Sequence, residues 1–208
     1  ADGADREKVV IYTPTEDCLI EYMQQRLDEQ FPQYDISLEY YHSGDLAAKL
    51  KAEGADTSCD IIFDCEYGYL ESLSDNLAVI DFIDPDQFVE DMRSPDNKYM
   101  PVDRYSGSVI VRPDLLEEKG LPIPQSYDDL LAGEYRGLIE MPDPTQSSTG
   151  YLFLKSLANA WGEEEALAYF DKLDENILQY TGGGSAPVKD AVAGECAIAL
   201  SLTFKAVD

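Results

Sequence analysis

A single histidine, His42, in 208 residues leaves the chain poorly equipped for acid–base chemistry. The nucleophile-elbow, P-loop and dinucleotide-binding glycine signatures are all absent, which argues against a hydrolase, a kinase and a dehydrogenase. An enzyme needs a nucleophile beside a base, or a paired acid and base, in one pocket; no such pattern is legible, so the chain is read as non-enzymatic. No apolar run approaches the roughly 20 residues of a membrane helix. The opening "ADGADREK" lacks the apolar stretch of a signal peptide, so an exported form would already have lost its signal. Basic residues are scarce: 15 lysines and arginines face 42 aspartates and glutamates, a formal charge of -27 that repels nucleic acid and anionic membrane surfaces. Cys18, Cys59, Cys65 and Cys196 show neither CxxC nor metal-finger spacing. Cys59 and Cys65 flank one expected strand, too far apart along an extended segment to bridge easily. Cys18 and Cys65, both just past strand ends, are the better-placed pair, and unpaired thiols are the expected state. No metal ligand set and no cofactor is assigned.

What is present is an alternation of strands and helices. "KVVIYT" is β-branched and apolar; Pro14 stops it, and Thr15 is placed to cap a helix through "EDCLIEYMQQRLDEQF". That helix carries Leu19, Ile20, Met23, Leu27 and Phe31 at spacings of three and four, one apolar face. "YDISLEYY" is a second strand, "HSGDLAAKLKAEG" turns at Ser43 and Gly44 into a helix that Ser43 is placed to cap, "CDIIFDC" is a short strand and "EYGYLESLSDN" a third helix. This order implies a mostly parallel sheet with helices on both faces. The proline- and charge-rich middle reads as a linker and crossing strand, with Ser106 and Gly107 near a hinge. After it come a helix capped at Ser126, the strand "LIEM", a long helix after Ser148, a helix at "EEEALAYFDKLDEN", the strand "ILQYT", the loop "TGGGSAP", the helix "VKDAVAGE" and the strand "CAIALSLTF".

In parallel α/β sheets, ligands sit beyond the carboxyl ends of the strands. This singles out Thr13 and Thr15, Ser43 and Gly44, and Asp64 and Glu66 in the first half, and "DPTQSST" and "TGGGSAP" in the second. Ser147, Ser148 and Thr149 precede an apolar-striped helix, and such hydroxyls either cap the first turn or, with free N–H groups, receive phosphate or carboxylate. Gly183, Gly184 and Ser185 form either a flexible turn or a backbone cradle that positive φ would permit.

"KVVIYTPTED", "SGDLAAKLKAEG", "CDIIFDCEYGYLESL", "PIPQSYDDLLAGEYRGLIEMPDPTQSSTGY" and "GGGSAPVKDAVAGECAIAL" resemble, in this order, segments of the bacterial extracellular solute-binding proteins of ABC importers. The branch that they resemble includes ferric-ion, phosphonate and sugar-phosphate binders, and the resemblance spans nearly the whole chain. It implies a two-lobe periplasmic-binding-protein-like α/β fold with mixed, mostly parallel sheets, the lobes at residues 1–105 and 106–208. It further implies a monomer, in the periplasm or on the cell surface as a lipoprotein, that closes on a small-molecule solute and delivers it to an ABC permease. Members continue past the position of Asp208 with a segment that returns to the first lobe, so the fold is expected to be C-terminally incomplete.

The ferric branch holds its metal mainly with an adjacent tyrosine pair just after the strand matching "AIALSLTF"; here that stretch reads "LTFKAVD", without tyrosine. Tyr40 and Tyr41 are adjacent on a strand and point to opposite faces, so they cannot both grip one ion. A phosphorylated or phosphonate solute fits the hydroxyl-rich helix starts better, with Arg104 near the hinge as a clamp. Asp64 and Glu66 would repel a pure anion. They suit the amine or sugar hydroxyls of a zwitterion or sugar phosphate, or else serve as helix N-terminal acids. Ferric ion and polyamine are the alternative ligands.

Overall fold

The computed structural model describes residues 6–15 and 17–206, without the side chains of 17, 18 and 206. The Cys18 thiol, and with it the Cys18–Cys65 pairing, therefore lies outside the described residues, while Cys59, Cys65 and Cys196 are free thiols. Burial pushes the thiols of Cys65 and Cys196 up to about 12, which keeps both protonated and unreactive at neutral pH. The chain divides into two compact units, Ala1–Arg104 and Tyr105–Asp208. Among the described residues, no helix is long and apolar enough to cross a membrane.

In the first unit the elements are β1 (Glu7–Thr13), α1 (Asp17–Gln30), β2 (Tyr34–Tyr40), α2 (Ser43–Glu53), β3 (Ile61–Ile62) and α3 (Tyr67–Ser72). The three strands form a parallel sheet in the order β2-β1-β3, with Glu7 opposite Tyr34 and Thr13 opposite Tyr40. Alternation along β1 sends Val10 and Tyr12 into a core with Leu46, Ala47 and Leu50 of α2 and with Leu73. Each buried leucine there contributes about 1.5–3 kcal/mol by leaving water. Tyr12 and Tyr41 pack at 4.8 Å, and the Lys49 ammonium covers both rings. Gly54, at φ +54°, ends α2 in a conformation that glycine adopts cheaply.

The periodic face of α1 departs from expectation: none of Leu19, Ile20, Met23, Leu27 and Phe31 is fully buried, and Leu19 and Phe31 are 49% and 45% exposed. The helix lies along β2, and a polar residue makes the tie. The Gln24 amide donates to the Ile36 carbonyl at 2.8 Å and accepts the Leu38 N–H at 3.3 Å, satisfying the outer edge of the strand.

The second unit holds β4 (Gly107–Val111), α4 (Pro113–Glu118), β5 (Ile139–Pro142), α5 (Ser148–Trp161), α6 (Glu163–Leu173), β6 (Ile177–Thr181), α7 (Ala186–Ala193) and β7 (Ile198–Leu202). Its sheet runs β4-β7-β5-β6; β4 is antiparallel to β7, and β5 is parallel to both of its neighbours. Ile139, Met141, Ile198 and Leu200 meet Leu116, Leu130, Phe153, Leu157, Tyr169 and Leu173 in the main core. On the opposite face Ile110, Ala199, Glu140 and Gln179 form a row across four paired strands. Ala191 of α7 and Cys196 pack on that face.

Two expected boundaries are corrected. Ser126 opens a short 3-10 turn, Asp128–Leu131, in place of a full helix, because the Asp129 carboxylate takes the Gln125 and Ser126 N–H groups at 2.7 and 3.0 Å and closes the turn on itself. The last strand stops at Leu202, and Thr203–Ala206 is a further 3-10 turn.

Candidate functional site

At the end of β1, Thr13 and Thr15 are buried, and the Thr13 hydroxyl accepts the Thr15 N–H at 3.1 Å. α1 begins two residues beyond Thr15, at Asp17. At the next strand end the expected cap shifts by one residue. His42 holds the cap position of α2 with extended backbone and no side-chain cap bond, and Ser43 is already the first helical residue. The His42 ring is instead paired with the Tyr40 hydroxyl at 2.9 Å, which leaves it no cap bond to make. Tyr41 turns the other way, donating to Glu39 at 2.9 Å, so strand alternation separates the two phenols. Gly44 follows Ser43 in the first turn.

After β3, Asp64 adopts φ +60°, the left-handed region that aspartate enters more readily than most residues. Glu66 is the cap of α3, its carboxylate accepting the Gly68 N–H at 2.8 Å. Of the two uses foreseen for that carboxylate, the helix-capping one is realised. Arg104, the last residue of the first unit, is exposed.

In the second unit the hydroxyl run divides by function. Ser147 caps α5, accepting the Thr149 N–H at 3.3 Å, and is itself buried. Thr149 is buried against the β6–α7 loop, while Ser148 stays half-buried in the first turn. The contact is tight: a Cβ on Gly184 would stand 2.1 Å from Thr149 Oγ1 and 2.9 Å from Thr149 Cβ. Gly183 and Gly184 do not have positive φ, contrary to expectation. Gly184 is required by close approach and not by backbone conformation, and Gly183 has open space where a side chain would stand. Hydroxyls fasten the loop from below, Thr181 donating to the Gly183 carbonyl at 3.0 Å and Ser201 to the Gly184 carbonyl at 2.6 Å. Ser185 occupies the cap position of α7 without a side-chain cap bond.

The structure therefore brings Ser147, Ser148 and Thr149 together with Gly183, Gly184 and Ser185. Two helix starts, of α5 and α7, meet there through Thr149 and Gly184, and the first-turn N–H groups of a helix carry partial positive charge. Chemically, such a place stabilises negative charge and needs no lysine. Sequence reasoning missed why residue 150 is a glycine: a Cβ there would meet the Pro142 carbonyl oxygen at 2.4 Å and Asp143 and Pro144 backbone atoms at 2.7 Å. A glycine in a first helical turn carries no mark of such an approach. It also missed Glu140, a carboxylate in the apolar strand "LIEM", which was the available signal. Among the described residues, no group of three histidine, cysteine, aspartate or glutamate side chains is arranged to hold a metal ion.

The family model described as bacterial extracellular solute-binding protein matches residues 36–207. An uncharacterised protein of Haemophilus influenzae is 26% identical over 208 residues, covering 92% of this chain and 57% of that protein. Among solved structures, the periplasmic binding protein AfuA of Actinobacillus pleuropneumoniae, with exogenous fructose-6-phosphate bound, superposes with a TM-score of 0.84 at 24% identity, over 96% of this chain and 65% of that one. Iron-bound HitA of Pseudomonas aeruginosa gives 0.78 at 17% identity, over 96% and 64%. The chain thus spans somewhat less than two thirds of these relatives' length, and the structural likeness shows the fold that it shares with them.

Proposed function

The chain belongs to the bacterial extracellular solute-binding proteins, and on that premise we propose that it is a non-enzymatic, extracytoplasmic receptor that presents a small phosphorylated or phosphonate solute to an ABC permease. The observation that carries this reading is the pairing of the α5 and α7 starts through Thr149 and Gly184. Bonds from such donors to an anion are about twice as strong as neutral ones. AfuA, which shares the fold, is a protein with fructose-6-phosphate bound, and this supports the ligand class. In the first unit, Asp64 at its left-handed position is proposed as a carboxylate suited to sugar hydroxyls or an amine. Arg104, Thr13, Thr15, Ser43 and Gly44 are proposed as secondary contacts.

Ferric ion is the second reading, favoured by the shared fold of iron-bound HitA. The divergence of Tyr40 and Tyr41 removes the only adjacent phenol pair in the sequence from that role. A thermal-shift panel of sugar phosphates, aminoalkylphosphonates, inorganic phosphate, ferric ion and a polyamine separates these readings. Binding at a hundred times Kd stabilises the native state by about 2.7 kcal/mol. A raised midpoint with phosphorylated compounds is the expected result, and a response to ferric ion or polyamine alone refutes the proposed solute class.

Ser148, half-buried in the first turn of α5, is a second probe of the site beside the capping residue Ser147. We expect Ser148→Ala to weaken the phosphorylated solute roughly tenfold, one charge-assisted hydrogen bond. Ser147→Ala should instead cost about 1 kcal/mol of stability through loss of the cap. Calorimetric titration and urea unfolding of both variants distinguish the two roles. Equal affinity for Ser148→Ala and the parent would remove Ser148 from the site.

A further inference from the structure

Glu140 sits in the middle of β5 and is only 1% exposed, yet neither carboxylate oxygen has a hydrogen-bond partner of ordinary geometry. A fully ionised carboxylate left this way is among the costliest groups a core can hold. Its surroundings are known from the sheet register. Ala199 and Gln179 flank it on the adjacent strands, and Ala191, Cys196 and Ile110 form the apolar patch on the same face. The Gln179 amide is directed to the Asp190 carboxylate of α7 at 3.3 Å. Glu195, just beyond the helix, adds a further negative charge, and the Glu195 N–H is bonded to the Asp190 carbonyl at 2.8 Å.

Among the described residues, no cation pairs with this cluster. Arg112, at the end of β4, is bound to Asp114 and to the Ala191 and Val192 carbonyls, and Lys189 on α7 is exposed. Cys196 stays a neutral thiol because burial holds it far above its ordinary range. With a metal arrangement absent among the described residues, the group that resolves two facing carboxylates is a hydrogen ion.

We infer that Glu140 and Asp190 share one proton, the Glu140 hydroxyl donating to the Asp190 carboxylate, and that this proton seats α7 on the sheet. Burial, and next the nearby Asp190, raise the Glu140 carboxyl from its ordinary 4.5 to about 7, in keeping with that geometry. The direction of the linkage follows. The folded chain keeps a proton that the unfolded chain releases, so this group's stabilising effect is complete below about 4.5, declines as pH rises and is gone above about 7. Over that window the folding equilibrium weakens on the order of 100-fold through this one site. The loop holding Gly184 runs directly into α7, so loosening the helix reaches the start of α5 as well.

The test compares the intact chain with Glu140→Gln, which keeps the shape and can never ionise. Urea unfolding at pH 5 and pH 8 should show the variant gaining on the parent by on the order of 100-fold in the folding constant between the two pH values. The carbon-13 carboxyl signal of Glu140 in the parent should titrate near neutrality. In Asp190→Asn, whose amide can donate to an ionised Glu140, that midpoint should fall toward the ordinary range. Amide exchange in α7, corrected for intrinsic rates, should quicken from pH 6 to pH 8 in the parent and not in Glu140→Gln. A Glu140 midpoint of 4 to 5 in the parent overturns the inference outright. A midpoint unmoved in Asp190→Asn shows burial acting alone and overturns the shared proton. Both titrations remain decisive even where Glu140→Gln does not fold.

Discussion

Gly150→Ala is expected to lower stability by about 1–3 kcal/mol, with the urea midpoint falling and the slope unchanged. The cause is a backbone contact. A Cβ at residue 150 would lie 2.4 Å from the Pro142 carbonyl oxygen and 2.7 Å from Asp143 and Pro144 backbone atoms, none of which belongs to a flexible side chain that can turn away. The first turn of α5 rests directly on the end of β5, and this is what places Ser147 and Ser148 at the strand's carboxyl edge. The intrinsic helix preference of alanine over glycine, about 1 kcal/mol, works in the opposite direction and is outweighed. Gly133→Ala is the matched control, since its Cβ meets nothing within 4 Å and its φ is not in the left-handed region. It should change stability by no more than about 0.5 kcal/mol. A Gly150→Ala protein as stable as the control would show that helix and strand end can separate without cost.

The second large effect falls on the Thr149–Gly184 contact. Gly184→Ala should cost about 1–3 kcal/mol and reduce affinity for the phosphorylated solute by at least roughly tenfold, since the loop must lift from the α5 start to admit the methyl group. Thr149→Ala removes the oxygen that would stand at 2.1 Å but leaves the Cβ at 2.9 Å, so relief in the double variant should be partial. A coupling of about 0.5 kcal/mol or more in the double-mutant cycle is the expected measurement. Strict additivity would mean that the two residues do not press on each other in solution. Loss of stability with affinity intact would separate the contact from the proposed solute site.

Much of the element order was legible because strand and helix patterns are local. "KVVIYT" is a strand since β-branched residues suit a pleated surface, and Gly54 and Gly194 end helices at positive φ. Local chemistry misled where a neighbour competed for the same group. Ser43 lost the cap position to His42, and Ser126 and Asp129 closed a short turn before a helix could form. The apolar stripe of α1 has a helical period, but period says nothing about what covers it, and Leu19 and Phe31 remain about half exposed.

The sequence by itself determined the α/β alternation, a formal charge of -27 and the placement of hydroxyl-rich loops at strand ends. The tertiary structure alone decided which hydroxyls are structural, why Gly150 and Gly184 must lack a side chain, and that the Glu140 carboxylate is buried without a hydrogen-bond partner. The division has one physical origin. Caps, turns and periodicity arise from bonds spanning a few residues, whereas close approach and desolvation arise between groups that only folding brings together, such as Thr149 with Gly184 and Glu140 with Asp190.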